Sequence, residues 1–262
     1  DTALHAMRFT GPPFTFGFSM LANNVSIIGP NAVTTIGDKV FWMDRENFYV
    51  YTGRVQTIPC TLLRYVFDDI NLEQSFKCFA ASNKMFDEVF WFYPSADATE
   101  IDRYVKFNFT ENTWDLGTLS RTAWVDYGVH DNPRASGVAS DTNFVYVHET
   151  GDDNDGSAMT SFIESADFDI GDGEQFMFVS RLIPDIDITT SSDKSVDYIL
   201  KTRNYPGDSL TTNSTNAVSA STQQSFLRSR SRQAALRVES STTDITWTMG
   251  DLRLDMRPDG RR

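Results

Sequence analysis

The sequence predicts a mainly β protein, with propeller-like repeats of antiparallel aromatic-rich strands followed by a β-sandwich. Aromatic residues make up 13% of the 262 residues, including 20 Phe, so large rings supply much of the apolar area. Many short runs alternate apolar and polar residues with period two, which is typical of half-buried strands. The sequence shows no long amphipathic helical pattern, and residues that favour turns interrupt it at short intervals.

The stretch 85–127 organises the first part of the chain. Residues 89–93 read VFWFY, a cluster of β-branched and aromatic residues without helical spacing, and Pro94 ends the run. After a polar loop, residues 102–109 alternate between polar and apolar side chains with period two. Asn112 then opens a turn into another short strand. The stretch therefore predicts a small antiparallel sheet.

The aromatic phrase of this sheet occurs three times, with a period of about fifty residues. Residues 38–43 read DKVFWM, residues 87–92 read DEVFWF, and residues 141–147 give a weaker copy, DTNFVYV. Such a period is typical of propeller blades, which need neighbours on both faces. Three copies are fewer than the roughly four to eight blades of a closed propeller. A plain antiparallel protein that repeats strand, turn and strand is therefore the alternative.

Two regions are expected: residues 1–159, propeller-like, and residues 160–262, an antiparallel β-sandwich with an arginine-rich strand. The aromatic phrase is absent beyond residue 160, although one strand pattern follows another. The polar tract 202–224 is expected to be an exposed excursion. In the first region, residues 64–76 are the best helix candidate, and a loop carrying acidic residues is the alternative.

The chain begins with Asp1, without an initiator Met or a signal peptide, and its opening residues resemble the middle of a strand array. We therefore expect it to be part of a longer polypeptide. It contains no run of eighteen or more apolar residues, so the sequence predicts no membrane span. Cys60 and Cys78 match no metal-site spacing and are expected to be buried free thiols.

The formal net charge of −13 argues against a protein that holds nucleic acid through many Lys and Arg contacts to phosphate. It is compatible with a conduit through which DNA slides without sticking. The charge is uneven: residues 149–187 hold eleven acidic residues against one Arg, and residues 220–262 hold eight Arg against five acidic residues.

Arg228, Arg230 and Arg232 alternate with Ser, so in a strand their guanidinium groups project from one face. We expect this row to form a subunit interface with the acidic segment of a neighbouring copy, because Arg pairs well with carboxylates at interfaces. A DNA backbone is the alternative partner. The candidate acidic counterparts are Asp167, Asp169, Asp172 and Glu174.

The sequence predicts no catalytic residues, no cofactor site and no metal site, and hence a protein that is not an enzyme. His5, His130 and His148 lack the spacing of a metal site or a catalytic triad. The chain carries no nucleophile elbow, P-loop or dinucleotide fingerprint. A glycosidase-type carboxylate pair stays open as an alternative, because sequence alone does not reveal such a pair.

The loop 151–156, GDDNDG, has the composition of a calcium loop but departs from its pattern. With Gly156 at the sixth position, the bidentate acid would fall on Phe162 and the first ligand on Gly151. A solvated hairpin loop is therefore predicted. A looser calcium site built with Asp167, Asp169 and Asp172 stays an alternative.

Several phrases carry a resemblance to a known family: DKVFWMDRENFYVYTG, EVFWFYPS with EIDRYVKFNFTENTWDLG, RTAW, and RSRSRQAALRVES with ITWTMGDLRLDMRPDGRR. Together they resemble tail proteins of short-tailed, podovirus-like bacteriophages, of the nozzle or hub (tail tubular) family beneath the portal and adaptor rings. The resemblance covers most of the chain and depends on the style of repeat and on the arginine-rich ending. It includes no catalytic signature.

The resemblance implies a structural virion protein that forms a homo-oligomeric ring of six copies and continues the DNA channel below the portal and adaptor. Its role would be genome retention and ejection, with transient, non-specific passage of DNA. It also implies contacts with adaptor or portal proteins and with tail fibres or receptor-binding proteins. Assembly would take place in the host cytoplasm, and the mature protein would reside in the virion tail. The family has longer chains, which again implies a fragment.

The alternative function is a receptor-binding or carbohydrate-binding tail adhesin, with or without glycosidase activity. Aromatic rings stack on sugar faces, and carboxylates accept hydrogen bonds from sugar hydroxyls. The two functions differ in the expected exposure of Trp42, Trp91 and Trp114. These side chains would lie exposed in a cleft of an adhesin, but buried between the blades of a structural protein.

Overall fold

A computed structural model describes residues 2–137, 144–189 and 194–261, of which 53% lie in strands and 5% in helices. The predicted mainly β class is therefore confirmed. The sheets of the described residues are antiparallel and close into neither a barrel nor a propeller. The chain divides into two compact units, Asp1–Thr150 and Gly151–Arg262. This boundary follows the change in composition at Glu149, ahead of the boundary expected after residue 159.

The first unit contains thirteen strands within its described residues, with a short α-helix and a 3₁₀ helix between β6 and β7. The elements are β1 (Ala3–Phe9), β2 (Phe16–Asn23), β3 (Val33–Ile36), β4 (Lys39–Met43), β5 (Phe48–Tyr51), β6 (Val55–Ile58), α1 (Leu63–Asp69), the 3₁₀ helix (Leu72–Lys77), β7 (Phe79–Asn83), β8 (Glu88–Tyr93), β9 (Arg103–Asn108), β10 (Thr113–Thr118), β11 (Arg121–Val125), β12 (Arg134–Gly137) and β13 (Val145–Val147). They form the hairpin β1-β2, two four-stranded sheets β3-β4-β5-β6 and β7-β8-β9-β10, and the three-stranded sheet β11-β12-β13.

The two strong copies of the aromatic phrase occupy the same place in the two four-stranded sheets. One supplies β4 and the other β8, each the second strand of its sheet, and each pairs with an aromatic third strand. Asp87 and Asn112 adopt a φ of +57° in the turns of the second sheet, a conformation that short polar side chains tolerate. Of the weaker copy, residues 141–143 lie outside the described residues, and the remainder supplies β13.

Aromatic rings from both four-stranded sheets form one core. Trp91 of β8 is fully buried, with its ring centroid 4.8 Å from that of Phe48 in β5. Trp114 of β10 is half-buried and lies 4.7 Å from the same Phe48 ring. Trp42 is buried and stacks on Tyr49. Because these rings fill the space between strands, they supply much of the apolar burial in this unit.

The helix expected over residues 64–76 forms as two shorter segments. Helix α1 ends at Asp69 because Ile70 is extended, with φ −75° and ψ 134°, and forms a β-bridge with Ser95. Asn71 then caps the 3₁₀ helix, its side-chain oxygen accepting a hydrogen bond from the backbone N–H of Glu73. The buried bridge of Ile70 thus interrupts the helical pattern.

The second unit contains ten strands within its described residues. They are β14 (Ser161–Glu164), β15 (Phe168–Asp169), β16 (Met177–Ile183), β17 (Ile186–Thr189), β18 (Ser195–Arg203), β19 (Thr211–Ser219), β20 (Ser225–Ser231), β21 (Gln233–Ser240), β22 (Thr246–Met249) and β23 (Arg253–Pro258). One sheet has the order β14-β21-β18-β19, with β15 also paired to β21. The others have the orders β20-β16-β23 and β17-β22.

One apolar core joins the two larger sheets of this unit. Burial alternates along β18, where Val196, Tyr198 and Leu200 are fully buried and the residues between them are half-buried. The same cluster includes Val179 and Leu182 of β16. Each such apolar side chain contributes about 1.5–3 kcal/mol on full burial. The period-two pattern of the sequence therefore becomes an inward and an outward face.

Part of the polar tract expected to be an excursion is a strand. Residues 211–219 form β19, which pairs with β18 along nearly its whole length. Backbone hydrogen bonds to β18 hold β19 in place, and these do not require apolar side chains. Val218 is its one fully buried side chain. As an edge strand, β19 exposes most of its Thr, Asn and Ser residues, which explains its polar composition.

Tyr198→Phe is expected to stabilise the protein by about 1 kcal/mol. The side chain of Tyr198 is fully buried, its hydroxyl has no hydrogen-bond partner among the described residues, and burial raises its pKa to about 12. An unsatisfied buried hydroxyl costs about 1–3 kcal/mol, which the substitution removes. Urea unfolding followed by circular dichroism measures the change, with Tyr205→Phe, at an exposed site, as control. A loss of stability would contradict the prediction.

Candidate interaction surfaces

Strand β20 carries the predicted arginine row. Its burial alternates: Ser225, Leu227, Ser229 and Ser231 are buried, and the residues between them are exposed. Arg228 and Arg230 are among these exposed residues, whereas Arg232, just after the strand, is half-buried. Arg228 has a φ of +48° where the register between β20 and β16 shifts, so it lies at a β-bulge.

Two arginines of the row have partners within the chain. Nε of Arg230 donates to Oδ2 of Asp259 at 2.6 Å. Nη1 of Arg232 donates to the carbonyl oxygens of Gly173 and Glu174, at 3.0 and 2.7 Å. Both guanidinium groups lie over the ring of Phe176, with the guanidinium carbon 3.9 and 4.6 Å from the centroid. These contacts connect the segments before β16 and after β23 to the end of β20.

The four acidic residues predicted to meet the row have other neighbours. Asp167 forms an ion pair with Arg203, and Asp169 accepts a hydrogen bond from Nε2 of Gln233 at 3.2 Å. The Glu174 carboxylate lies 3.7 Å from the Arg261 guanidinium, while its backbone carbonyl meets Arg232. Asp172 lies in a turn with a φ of +57° and forms no ion pair within the described residues. Within one chain, therefore, the acidic segment contacts the arginine row through the backbone carbonyls of Gly173 and Glu174, and not through its carboxylates.

A wider arginine surface covers the outer side of the sheet β20-β16-β23, and we call it the arginine face. Val179 and Leu182 of β16 are fully buried, so Phe178 and Arg181 point to the other side. Phe178 is paired in register with one arginine on each neighbouring strand, and Arg181 with Phe226 and Asp255. The arginines of the face are Arg181, Arg228, Arg230, Arg253 and Arg257.

Sequence reasoning missed three members of this face. Arg181, Arg253 and Arg257 lie far from the row in the chain and reach the face only through pairing of β16 with β20 and β23. The guanidinium of Arg257 lies 5.1 Å from the centroid of Phe178. In the sequence, the alternating pattern of residues 253–257 is the one signal that could have indicated that Arg253 and Arg257 share a face.

The hairpin β1-β2, which we call the apolar hairpin, exposes six large apolar side chains, each at least 48% exposed. They are Met7, Phe9, Phe14, Phe16, Phe18 and Met20. Phe9 and Phe16 pack edge to face with centroids 5.9 Å apart. At the base of the hairpin lies a cavity of about 400 Å³, walled by Leu4 and Leu21 on one side and by Val40 and Trp42 on the other. The concentration of exposed apolar area is typical of a contact surface.

The carboxylates of Glu88 in β8 and Glu149, just after β13, share the side-chain amide of Asn83 in β7. Nζ of Lys106 donates to Glu88 at 2.8 Å, and the amide of Asn83 donates to Glu149 at 2.9 Å and to Glu88 at 3.4 Å. Burial raises the pKa of Glu149, and the negative charge of Glu88 raises it further. Because donors of the fold itself satisfy these oxygens, the pair acts as a polar connection between two sheets of the first unit.

A buried arginine and a histidine lie on the sheet β11-β12-β13. Nε of Arg121 donates to Nε2 of His148 at 3.0 Å, and the guanidinium lies 4.2 Å from the centroid of Tyr146. The His148 ring also packs against Trp124, with centroids 4.8 Å apart. Burial lowers the pKa of His148 to about 4, and the positive charge of Arg121 adds to this effect. His148 is therefore neutral at physiological pH and accepts the hydrogen bond of Arg121.

Within the ranges that the structure describes, no three His, Cys, Asp or Glu side chains are grouped closely enough to hold a metal ion. No helix there is long and apolar enough to span a membrane. Cys60 is half-buried and Cys78 buried, both are free, and burial raises the pKa of their thiols to about 11 and about 12. The described features define a two-unit antiparallel β protein with two notable exposed surfaces, one rich in arginine and one apolar. No protein-family model matches the chain, and no curated protein matches it.

Proposed function

We propose that the chain is a structural protein of a phage tail. It forms a ring of nozzle or hub type that continues the DNA channel below the portal and adaptor, and it serves genome retention and ejection. The observation that carries the assembly is the apolar hairpin. A two-stranded hairpin is marginally stable alone in water, and six exposed Met and Phe side chains on one hairpin favour burial against a partner. The repeated aromatic phrase supports the assignment to phage tails.

The finer architecture belongs to the same proposal. Each four-stranded sheet of the first unit follows chain order from edge to edge, as a propeller blade does, and the two share a core. The two larger sheets of the second unit share another core, as the layers of a β-sandwich do. Because a blade needs neighbours on both faces, further blades from the same polypeptide or from another copy would complete the first domain.

Charge and tryptophan burial support a structural role. A protein with a net charge of −13 binds the phosphate backbone of DNA weakly, which suits a channel through which the genome slides. Trp91 is fully buried and Trp42 is buried, so neither ring offers its face as a sugar platform would. These observations favour a structural protein over a carbohydrate-binding adhesin.

Assembly is tested by light scattering and electron microscopy of the purified chain. We expect the wild type to form closed rings of about six copies. Phe9→Ser with Phe14→Ser and Phe18→Ser should weaken association by at least roughly 1,000-fold, because each of the three Phe loses about 1.5–3 kcal/mol of apolar burial. The matched control, Val125→Ser with Val129→Ser and Phe144→Ser, changes equally exposed residues outside the hairpin and should assemble normally. A wild type that stays monomeric, or a hairpin variant that assembles like wild type, would refute the proposal.

A further inference from the structure

Three arginines of the arginine face have no ion pair among the described residues. Asp255 pairs with Arg181 and Asp259 with Arg230, but the face offers no carboxylate to Arg228, Arg253 or Arg257. All three are exposed. Three unmatched guanidinium groups thus lie on one sheet of a chain whose net charge is −13. Such a local excess of positive charge is complementary to an acidic surface.

Aromatic rings hold part of this face in position. The Arg228 guanidinium lies 5.6 Å from the centroid of Phe226, and that of Arg257 lies 5.1 Å from the centroid of Phe178. Both rings belong to the same sheet, whose neighbouring strands are about 4.8 Å apart. Stacking restricts each guanidinium yet leaves its N–H donors available at the edge. The side-chain entropy lost on binding an anion is therefore reduced.

The loop 151–156 supplies an unmatched acidic surface on the same chain, and we call it the acidic loop. Asn154 and Ser157 exchange backbone hydrogen bonds at 2.8 and 3.0 Å, and the backbone N–H of Gly156 donates to Asp153 Oδ1 at 3.1 Å. The turn is thus closed within a few residues. In the part of the chain that the structure describes, Asp152, Asp153 and Asp155 form no ion pair.

We propose that the arginine face of one copy binds the acidic loop of a second copy, through Arg228, Arg253 and Arg257 on one side and Asp152, Asp153 and Asp155 on the other. Guanidinium groups bind carboxylates with two parallel hydrogen bonds, so three of each match in number and in charge. The face and the loop are different surfaces of one chain. The contact is therefore heterologous, of the kind that closes into a ring.

A second copy suits this face better than nucleic acid. The net charge of −13 on the chain repels the phosphate backbone of nucleic acid. Every copy of the chain that carries an arginine face also carries an acidic loop, so the two partners are present in equal number. The inference rests on the proposed ring and names one of its contacts. That contact is separate from the apolar hairpin, so each is tested independently.

Charge reversal and exchange test the contact in the full chain at physiological salt. One variant carries Arg228→Glu, Arg253→Glu and Arg257→Glu, another Asp152→Arg, Asp153→Arg and Asp155→Arg, and a third carries both sets. Sedimentation velocity should show association weakened roughly 100-fold in each singly reversed variant. In the combined variant, association should return to within about tenfold of the wild-type value. The control Arg45→Glu with Arg54→Glu and Arg64→Glu changes the net charge equally at exposed sites elsewhere and should assemble normally.

Each outcome decides the proposal. If the arginine-reversed variant still forms rings as the wild type does, the proposed contact is refuted and the proposed function stands. The same holds if the combined variant does not regain association. An arginine-reversed variant that keeps its rings but loses binding to duplex DNA shows that the face binds nucleic acid instead. A wild type that is monomeric at every concentration overturns both. If circular dichroism shows that the reversed variants are unfolded, a neutral variant with Asp152→Asn, Asp153→Asn and Asp155→Asn replaces them. Assembly of this neutral variant that equals that of the wild type refutes the contact.

Discussion

Trp91→Ala is expected to lower the free energy of unfolding by about 3–5 kcal/mol, the range for truncating a large aromatic side chain in a core. Trp91 is fully buried, and its ring packs against both Phe48, at 4.8 Å, and Trp114, at 6.0 Å. Removing the Trp91 ring leaves a cavity in the core that the two four-stranded sheets share. Urea unfolding followed by far-UV circular dichroism measures the loss. A change below about 1 kcal/mol would contradict this account of the core.

A comparison of two phenylalanine variants separates ring packing from hydrogen bonding. The indole N–H of Trp91 has no partner among the described residues, whereas that of Trp42 donates to the carbonyl of Ser26 at 3.1 Å. Trp91→Phe removes an unsatisfied donor, which offsets part of the cavity cost. Trp42→Phe loses a hydrogen bond worth about 0.5–1.5 kcal/mol in addition to ring area. We therefore expect Trp91→Phe to be the milder variant, and the reverse order would refute the assignment.

Acidification from pH 6.5 to pH 4 is expected to destabilise the protein by roughly 2–3 kcal/mol through His148. Its pKa is about 4 in the folded protein, against 6.5 for the ordinary side chain. Above pH 6.5 both states are neutral at this residue, and the full stability is present. As the pH falls, the unfolded chain takes up the proton first, so unfolding is favoured until the folded protein is also protonated near pH 4.

Two substitutions isolate this effect in unfolding curves measured across the same pH range. His148→Gln keeps an acceptor for Arg121 without a titrating group, and should flatten the dependence. Glu149→Gln should steepen it, because the raised pKa of Glu149 makes the folded state bind a proton first and opposes His148. His130→Gln, at an exposed site, serves as control. An unchanged slope in His148→Gln would show that other groups cause the acid sensitivity.

Some features of the arginine face were accessible from the sequence. The alternation of Arg and Ser predicted that Arg228 and Arg230 share an exposed face, because side-chain direction in a strand depends only on local period. The partners of that row were not predictable. Asp259 and Phe176 are distant in sequence from β20, and only strand pairing brings them beside Arg230. The apolar hairpin was equally hidden, because an alternating strand does not reveal whether another layer covers it.

The sequence by itself determined the mainly β class, the aromatic strands β4 and β8 and the uneven distribution of charge. These depend on residue type and on the period-two geometry of a single strand. Tertiary structure alone decided that Ile70 interrupts the expected helix, that the polar residues 211–219 join a sheet, and that Arg257 lies over Phe178. Ile70 bridges to Ser95 and Arg257 reaches Phe178, which are distant in the chain, so these contacts depend on which strands become neighbours. Strand β19 directly follows β18 in the chain, but backbone hydrogen bonds hold it there, and side-chain type does not reveal them.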